Sequence, residues 1–139
     1  MIIILTYTNI LIFVLLSGLH FYWLFGGKWA LSTSLPTSTA QKPAFVPGLA
    51  STLIVAIGLL FFASVVYAQI AMSTFIDPKY IDYLTLAIAF IFFLRSIGDF
   101  KYVGLFKRIK GTPFAKNDAR IYIPLCLCLA ISCLLIVIL

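Results

Sequence analysis

The segment from residue 48 to residue 72, GLASTLIVAIGLLFFASVVYAQIAM, contains no charged side chain. A helix needs about 20 mostly apolar residues to cross the hydrocarbon core of a bilayer, so this segment predicts a membrane-spanning helix. Three further apolar blocks, at residues 2–25, 80–100 and 121–139, have a similar length. The sequence therefore predicts an all-α integral membrane protein, a single domain over residues 1–139 built as a four-transmembrane-helix bundle.

The composition of the chain agrees with a lipid environment. Of its 139 residues, 63% are hydrophobic and 10% are charged, whereas a soluble domain carries about 25% charged residues. The net charge of +6 is concentrated between the apolar blocks, where it favours attraction to anionic lipid headgroups over nucleic-acid binding. We therefore expect membrane lipids as partners and no nucleic acid.

The basic residues indicate how the bundle is oriented. Lys28 and Lys42 lie in the first loop, on the same side as a strongly basic third loop, and Lys79 lies on the other side. Positive charges beside membrane spans stay in the cytoplasm, so both termini are predicted to be outside a bacterial inner (cytoplasmic) membrane. Five side chains of the third loop are expected to contact lipid headgroups: Lys101, Lys107, Arg108, Lys110 and Lys116.

Local signals mark where the third and fourth helices begin. Asp77 and Pro78 predict a short turn into the third helix. Asn117 or Asp118 is expected to cap the fourth helix by accepting hydrogen bonds from its free N–H groups. These signals complete a bundle with short connections on one side and two longer basic loops on the other.

Three cysteines, Cys126, Cys128 and Cys133, lie inside the last apolar block. Thiols within hydrocarbon do not form the disulfide framework of a secreted domain, and no second ligand cluster has the spacing of a tetrahedral metal site. We therefore interpret them as small packing residues at a helix contact. The sequence predicts no metal site and no cofactor.

Three ionisable residues, His20, Arg95 and Asp99, lie within or at the end of a predicted span, where such groups are costly. Arg95 and Asp99 are four residues apart, a spacing that predicts an ion pair on one helix face. His20 and Arg95 lie at a similar depth below the same membrane boundary. This coincidence predicts a ligand-binding cluster of His20, Arg95 and Asp99, with Tyr22 and Trp23 as aromatic neighbours.

Each member of this cluster also has a purely structural interpretation. Arg95 and Asp99 would simply neutralise each other near the interface, and His20 would be a hydrogen-bonded packing residue. Tyr22 and Trp23 are typical of the aromatic belt at headgroup level. The sequence does not decide between these interpretations.

Three function classes follow from these observations. The preferred one is a non-enzymatic protein that binds or moves a small anionic or amphipathic ligand at the cytoplasmic interface. The second is an enzyme that acts on a lipid or isoprenoid, with His20 and Asp99 as acid and base, although no catalytic motif or paired carboxylate supports it. The third is an accessory subunit of a larger membrane complex. The expected protein partners are therefore a further copy of the chain, which a transport path would require, or another membrane protein.

Most of the chain resembles a bacterial membrane family known as domain of unknown function 3995. The resemblance rests on HFYWLFGGKW at residues 20–29, on LRSIGDFKYVGLFKR at residues 94–108 and on GTPFAKNDARIYIPLC at residues 111–126. It extends to PGLASTLIVAIGLL, which begins at residue 47. The chain departs from the family pattern at Ala30, where glycine is expected, and at Pro113, where a basic residue is expected. The resemblance implies four helices and no assigned activity or cofactor.

Overall fold

The computed structural model describes residues 1–40, 42–71 and 76–139 of the chain. Four helices in these residues are long and apolar enough to cross a membrane. They confirm the predicted all-α four-helix bundle, and the chain is a multi-pass membrane protein. In chain order the helices are α1 (Ile2–Leu24), the short α2 (Leu31–Ser34), α3 (Leu49–Ala68), α4 (Pro78–Ile97), α5 (Pro113–Asn117), a π-helical turn (Asp118–Tyr122) and α6 (Ile123–Ile138).

The bounds of the first three spans lie close to the predicted ones. The third begins at Pro78, two residues before its predicted block, because the Asp77 carboxylate accepts a hydrogen bond from the Lys79 N–H at 2.9 Å and Pro78 fits the first helical position. The predicted end of the second helix, residue 72, lies outside the described residues. Many large apolar side chains face outward, such as Ile54 at 70% exposed and Phe90 at 60%, as expected where the surroundings are lipid.

The fourth span begins at Pro113, eight residues before its predicted start at residue 121. Its cap is Thr112, whose hydroxyl accepts a hydrogen bond from the Ala115 N–H at 3.1 Å. Neither Asn117 nor Asp118 caps it, because both lie inside the helical span. The prediction was wrong because the chain carries Thr112 directly before a proline, a strong start signal.

Pro124 explains the π-helical turn that interrupts this span. A proline inside an α-helix lacks an N–H and its ring clashes with the carbonyl four residues earlier, which here is that of Arg120. The π-helical turn, Asp118–Tyr122, contains Arg120 and ends two residues before Pro124. A single wider turn relieves such a clash and re-aims the side chains that it carries. Asp118 is one of them.

The helices pack in two pairs, α1 with α3 and α4 with α6, and the pairs meet along α1–α6 and α3–α4. The centre of the bundle is aromatic. The Phe13 ring stacks on Phe92 at 5.5 Å between ring centroids and meets the edge of Phe62 at 6.0 Å. Three helices therefore contribute one ring each to a common core.

Polar side chains join the helices inside the span. Ser17 donates a hydrogen bond to the Ala56 carbonyl at 2.7 Å, which joins α1 to α3. Asn9 accepts from Ser132 at 2.7 Å and its amide nitrogen lies 3.7 Å from the Cys133 sulfur. Such contacts orient membrane helices, because the alternative is a polar group in hydrocarbon.

The cysteines divide into two groups. Cys126 and Cys133 are buried, and Cys128 is exposed on the outer surface of α6. All three thiols are free. Cys126 and Cys133 therefore pack between helices as the sequence predicts, whereas Cys128 faces away from the bundle.

Candidate functional site

A buried carboxylate organises one end of the bundle. Asp118 is fully buried. One of its oxygens accepts from Arg95 at 3.0 Å and the other from Lys107 at 3.0 Å. The second oxygen also accepts from the Gly104 N–H at 2.9 Å. Asp118 therefore ties together the end of α4, the third loop and the start of the fourth span.

Lys107 is the buried cation of this network. Its residue is 6% exposed, and its ammonium donates to the Gly104 carbonyl at 3.1 Å as well as to Asp118. Arg95 is more open, with 35% of its side chain exposed. A buried charge of this kind is stable only while its partner is present. We define Arg95, Gly104, Lys107 and Asp118 as the Asp118 network.

The predicted ion pair between Arg95 and Asp99 is wrong. The helix ends at Ile97, and Gly98 turns the chain with φ +81°, so Asp99 no longer lies one helical turn beyond Arg95. Instead, one Asp99 oxygen accepts from three successive backbone N–H groups, those of Lys101 at 3.0 Å, Tyr102 at 2.7 Å and Val103 at 2.9 Å. Asp99 stabilises the loop.

The ionisation of Asp99 reflects these contacts. Partial burial alone would raise the pKa of its carboxyl, but the hydrogen bonds from the backbone of Val103, Tyr102 and Lys101 outweigh it and hold the pKa below its ordinary value. The carboxylate is therefore charged at neutral pH and acts as an acceptor only. A group in this state is a poor proton donor.

His20 lies elsewhere, in the wall of a cavity of about 370 Å³. The cavity is bounded by the end of α1, by the first loop and by the start of α3. Neither Arg95 nor Asp99 reaches it; the residues that line it are His20, Trp23, Leu31, Ser34, Leu35, Pro36, Phe45, Val46, Pro47, Leu49, Ser51, Thr52 and Val55. We call it the His20 cavity. The three residues of the predicted cluster therefore lie in different surroundings. Arg95 belongs to the Asp118 network, Asp99 stabilises the third loop, and His20 lines the cavity.

The predicted aromatic residues fold the first loop back onto α1. The Trp23 indole N–H donates to the Trp29 carbonyl at 2.9 Å, and the Trp29 N–H reaches the Tyr22 hydroxyl at 3.4 Å. The Trp23 ring also meets the edge of His20 at 5.0 Å between ring centroids. Trp23 therefore contributes to the cavity wall, whereas Tyr22 supports the loop.

Ala30 adopts a backbone conformation that suits glycine. Its φ of 59° and ψ of −2° place it in the left-handed region, directly before α2. This is the position at which the family pattern suggests glycine. The chain tolerates alanine here at a modest cost in backbone free energy.

A hydrogen bond connects the His20 cavity to the Asp118 network. The hydroxyls of Ser34 and Tyr122 are 3.0 Å apart. Ser34 lines the cavity, and Tyr122 is the last residue of the π-helical turn that carries Asp118. Both features therefore belong to one end of the bundle, which we call the basic end (residues 20–49 and 94–124).

The predicted headgroup contacts differ in their exposure. Lys107 is buried against Asp118, so its ammonium is not on the surface. The other four side chains, those of Lys101, Arg108, Lys110 and Lys116, are exposed at the basic end. In the described part of the chain, both ion pairs end on Asp118.

The sequence interpretation missed two features of the polar interior. Asp118 was predicted only as a cap, although its place five residues after Pro113, where the helix begins, indicated an interior position. Gln69 and Asp82 were not singled out, yet the Gln69 amide donates to Asp82 at 3.1 Å and to Thr85 at 2.9 Å near the opposite end of the bundle. An ionisable residue inside an apolar block was the available signal for Asp82.

Comparison with known proteins gives one match. A family model described as "Protein of unknown function (DUF3995)" matches residues 13–133. This range contains the His20 cavity and the whole Asp118 network. No curated protein and no solved structure matches the chain.

Proposed function

The chain belongs to the family of proteins of unknown function DUF3995, and we propose that it binds a small amphipathic molecule in the His20 cavity. The volume of about 370 Å³ lies within the range of ligand pockets, roughly 300 to 1,000 Å³. Apolar side chains such as Leu35, Phe45 and Val55 form most of the wall, and a few polar groups converge on it. This combination is the single observation that supports the proposal.

The hydrogen bonds of His20 indicate what the cavity offers to a ligand. Its Nδ1 lies 2.7 Å from the Leu16 carbonyl, which can only accept, so Nδ1 carries the proton. The free Nε2 is then an acceptor in the neutral imidazole and a donor in the imidazolium. A hydroxyl group suits the first state and an acid group suits the second.

Other polar groups of the wall are already engaged as donors. The hydroxyls of Ser51 and Thr52 donate to the Gly48 carbonyl at 2.8 and 3.1 Å, and the Trp23 N–H is bound to Trp29. The cavity therefore presents a mostly apolar wall with a few polar groups, of which His20 is the one that can either accept or donate at Nε2. This favours an amphipathic ligand over a fully polar one.

The charge bias supports a position for the cavity at the cytoplasmic face. The basic end holds every Lys and Arg except Lys79, and positive charge beside spans stays in the cytoplasm. Both termini would then lie outside the cell membrane. The ligand would enter from the cytoplasmic leaflet or from the cytoplasm itself.

The position of Asp99 favours a binding function over acid–base catalysis. Its carboxylate is held by three backbone N–H groups of the third loop, and it does not line the His20 cavity. An enzyme that used His20 and Asp99 as acid and base would need both groups at one substrate. The arrangement supports a binding protein.

A cavity-filling variant tests this proposal. Val55 lines the cavity, whereas Ile54 points outward from the same helix, so Val55→Trp and Ile54→Trp form a matched pair. We expect 1-decanol or decanoic acid to raise the midpoint of thermal unfolding of the wild-type protein and of Ile54→Trp in nanodiscs. Val55→Trp should show no shift, because the added indole occupies the site.

His20→Ala gives the second arm of the same experiment. Loss of one hydrogen bond of about 1 kcal/mol should weaken binding of the alcohol roughly fivefold without abolishing it. An equal stabilisation of Val55→Trp and wild type by both amphiphiles, or no stabilisation of the wild type by either, would contradict the proposed site.

A further inference from the structure

The four acidic side chains of the protein are all engaged within the chain. Asp77 caps α4, Asp82 accepts from Gln69, Asp99 holds the third loop and Asp118 is buried between two cations. Among the residues that the structure describes, none of these carboxylates forms an ion pair with an exposed cation of the basic end. The basic end holds nine Lys and Arg side chains against two carboxylates, Asp99 and Asp118, so most of its countercharge must come from outside the protein.

Three of these cations line a single groove. Lys110, Lys116 and Arg120 are exposed and border a cavity of about 380 Å³ on the outer side of the third loop and α5. Lys107 also lines the groove, but its ammonium is buried and already paired with Asp118. Like charges that share a groove repel one another, so a bound anion would relieve this repulsion and be attracted to the groove.

The other side chains that line the groove are apolar: Leu105, Ala115, Ala119 and Ile123. Leu105 and Ala119 are exposed there, and Ile123 is the first residue of the membrane-spanning helix α6. A molecule with its charge among the three cations would have apolar surface directly beside it. Cations beside an apolar surface favour a lipid, which has both a charged group and acyl chains, over a soluble anion.

We propose that this groove binds the phosphate of an anionic membrane lipid through Lys110, Lys116 and Arg120, with the acyl chains against α6. The Arg120 guanidinium can bind two phosphate oxygens at once, and the lysines add point charges. The site is separate from the His20 cavity, so it stands or falls independently of the proposed function.

The test is native mass spectrometry of the protein released from nanodiscs that contain phosphatidylglycerol and phosphatidylcholine in equal amounts. We expect bound phosphatidylglycerol on the wild type and a loss of about a hundredfold in affinity in K110Q/K116Q/R120Q, since each Lys or Arg near the anionic surface contributes roughly fivefold. The control is K28Q/K42Q/K79Q, which removes the same charge elsewhere and should change affinity less than threefold. Circular dichroism and gel filtration verify that both variants are folded.

Three results would overturn the proposal. Equal losses in the two triple variants would mean that the protein attracts anionic lipid through its overall charge and has no site. Full competition by soluble glycerol phosphate, with no preference for the lipid, would mean that the groove takes a free phosphate. An affinity of K110Q/K116Q/R120Q for phosphatidylglycerol equal to that of the wild type would also contradict the proposal.

Discussion

Asp118→Asn is expected to lower the free energy of unfolding by about 3 kcal/mol or more. Asparagine has the same shape but no charge, so the ammonium of Lys107, only 6% exposed, loses its counterion. Arg95 is partly open to its surroundings and can relax, so most of the loss should come from Lys107. Equilibrium unfolding in mixed micelles, followed by far-UV circular dichroism, measures the effect.

Asp77→Asn is the matched control, because it makes the same chemical change at an exposed cap. Asparagine caps helices as well as aspartate does, so stability should change by less than about 0.5 kcal/mol. In the Asp118→Asn background, Lys107→Met should recover part of the loss by removing the unpaired charge. If Asp118→Asn is no less stable than Asp77→Asn, the network does not hold the basic end together.

Gly98→Ala and Gly104→Ala should each destabilise the protein by several kcal/mol or prevent its accumulation in the membrane. Gly98 combines φ +81° with ψ −163°, a conformation almost confined to glycine, and Gly104 has φ +93°. The two backbones also touch: a Cβ on Gly98 would overlap the Val103 carbonyl, and one on Gly104 would overlap the Ile97 carbonyl. Both the yield in the membrane fraction and the unfolding midpoint report this loss.

Gly111→Ala provides the comparison within the same loop. Gly111 has an ordinary φ, and a Cβ there would meet nothing within 4 Å, so alanine should be neutral or slightly stabilising. Unfolding midpoints for Gly98→Ala and Gly104→Ala that match that of Gly111→Ala would show that the close contact between the two glycines is not required.

The spans could be predicted from the sequence because hydrocarbon imposes a minimum length on any crossing helix. The blocks at residues 2–25 and 80–100 differ from α1 and α4 by only a few residues at each end. Composition determines these bounds, and tertiary contacts alter them little. The fourth span was harder, because its first eight residues contain charged side chains that a hydropathy window rejects.

The pairing of Arg95 could not be predicted from spacing alone. The rule that residues four apart share a helix face holds only while the helix continues, and here Gly98 ends it. Glycine at that place was a usable signal of the helix end. The true partner, Asp118, is far along the chain, and a π-helical turn that no periodicity reveals carries it.

The His20 cavity depends on a loop conformation that the sequence does not specify. The depth of His20 and Arg95 below the membrane boundary correctly indicated that they lie at one end of the bundle. Depth alone does not determine which side chains are in contact. The hydrogen bond between Ser34 and Tyr122 connects the first loop with the fourth span, and the packing of the loop against α3 encloses the cavity. Contacts between distant segments of this kind require a three-dimensional structure.

The segments that carry the family resemblance meet at the basic end. LRSIGDFKYVGLFKR contributes Arg95, Gly98, Gly104 and Lys107, and GTPFAKNDARIYIPLC contributes Asp118. HFYWLFGGKW contributes His20 and Trp23 to the cavity wall. The parts of the sequence that apolar periodicity does not explain are therefore the parts that build this end.

The orientation of the basic end is the claim on which the proposed entry of the ligand from the cytoplasmic side depends. Fusion of the C-terminus to alkaline phosphatase, which is active only outside the cytoplasm, and to β-galactosidase, which is active only inside it, tests this claim directly. We predict an active phosphatase fusion and an inactive galactosidase fusion in intact cells. An active galactosidase fusion with an inactive phosphatase would place the basic end outside and contradict the account.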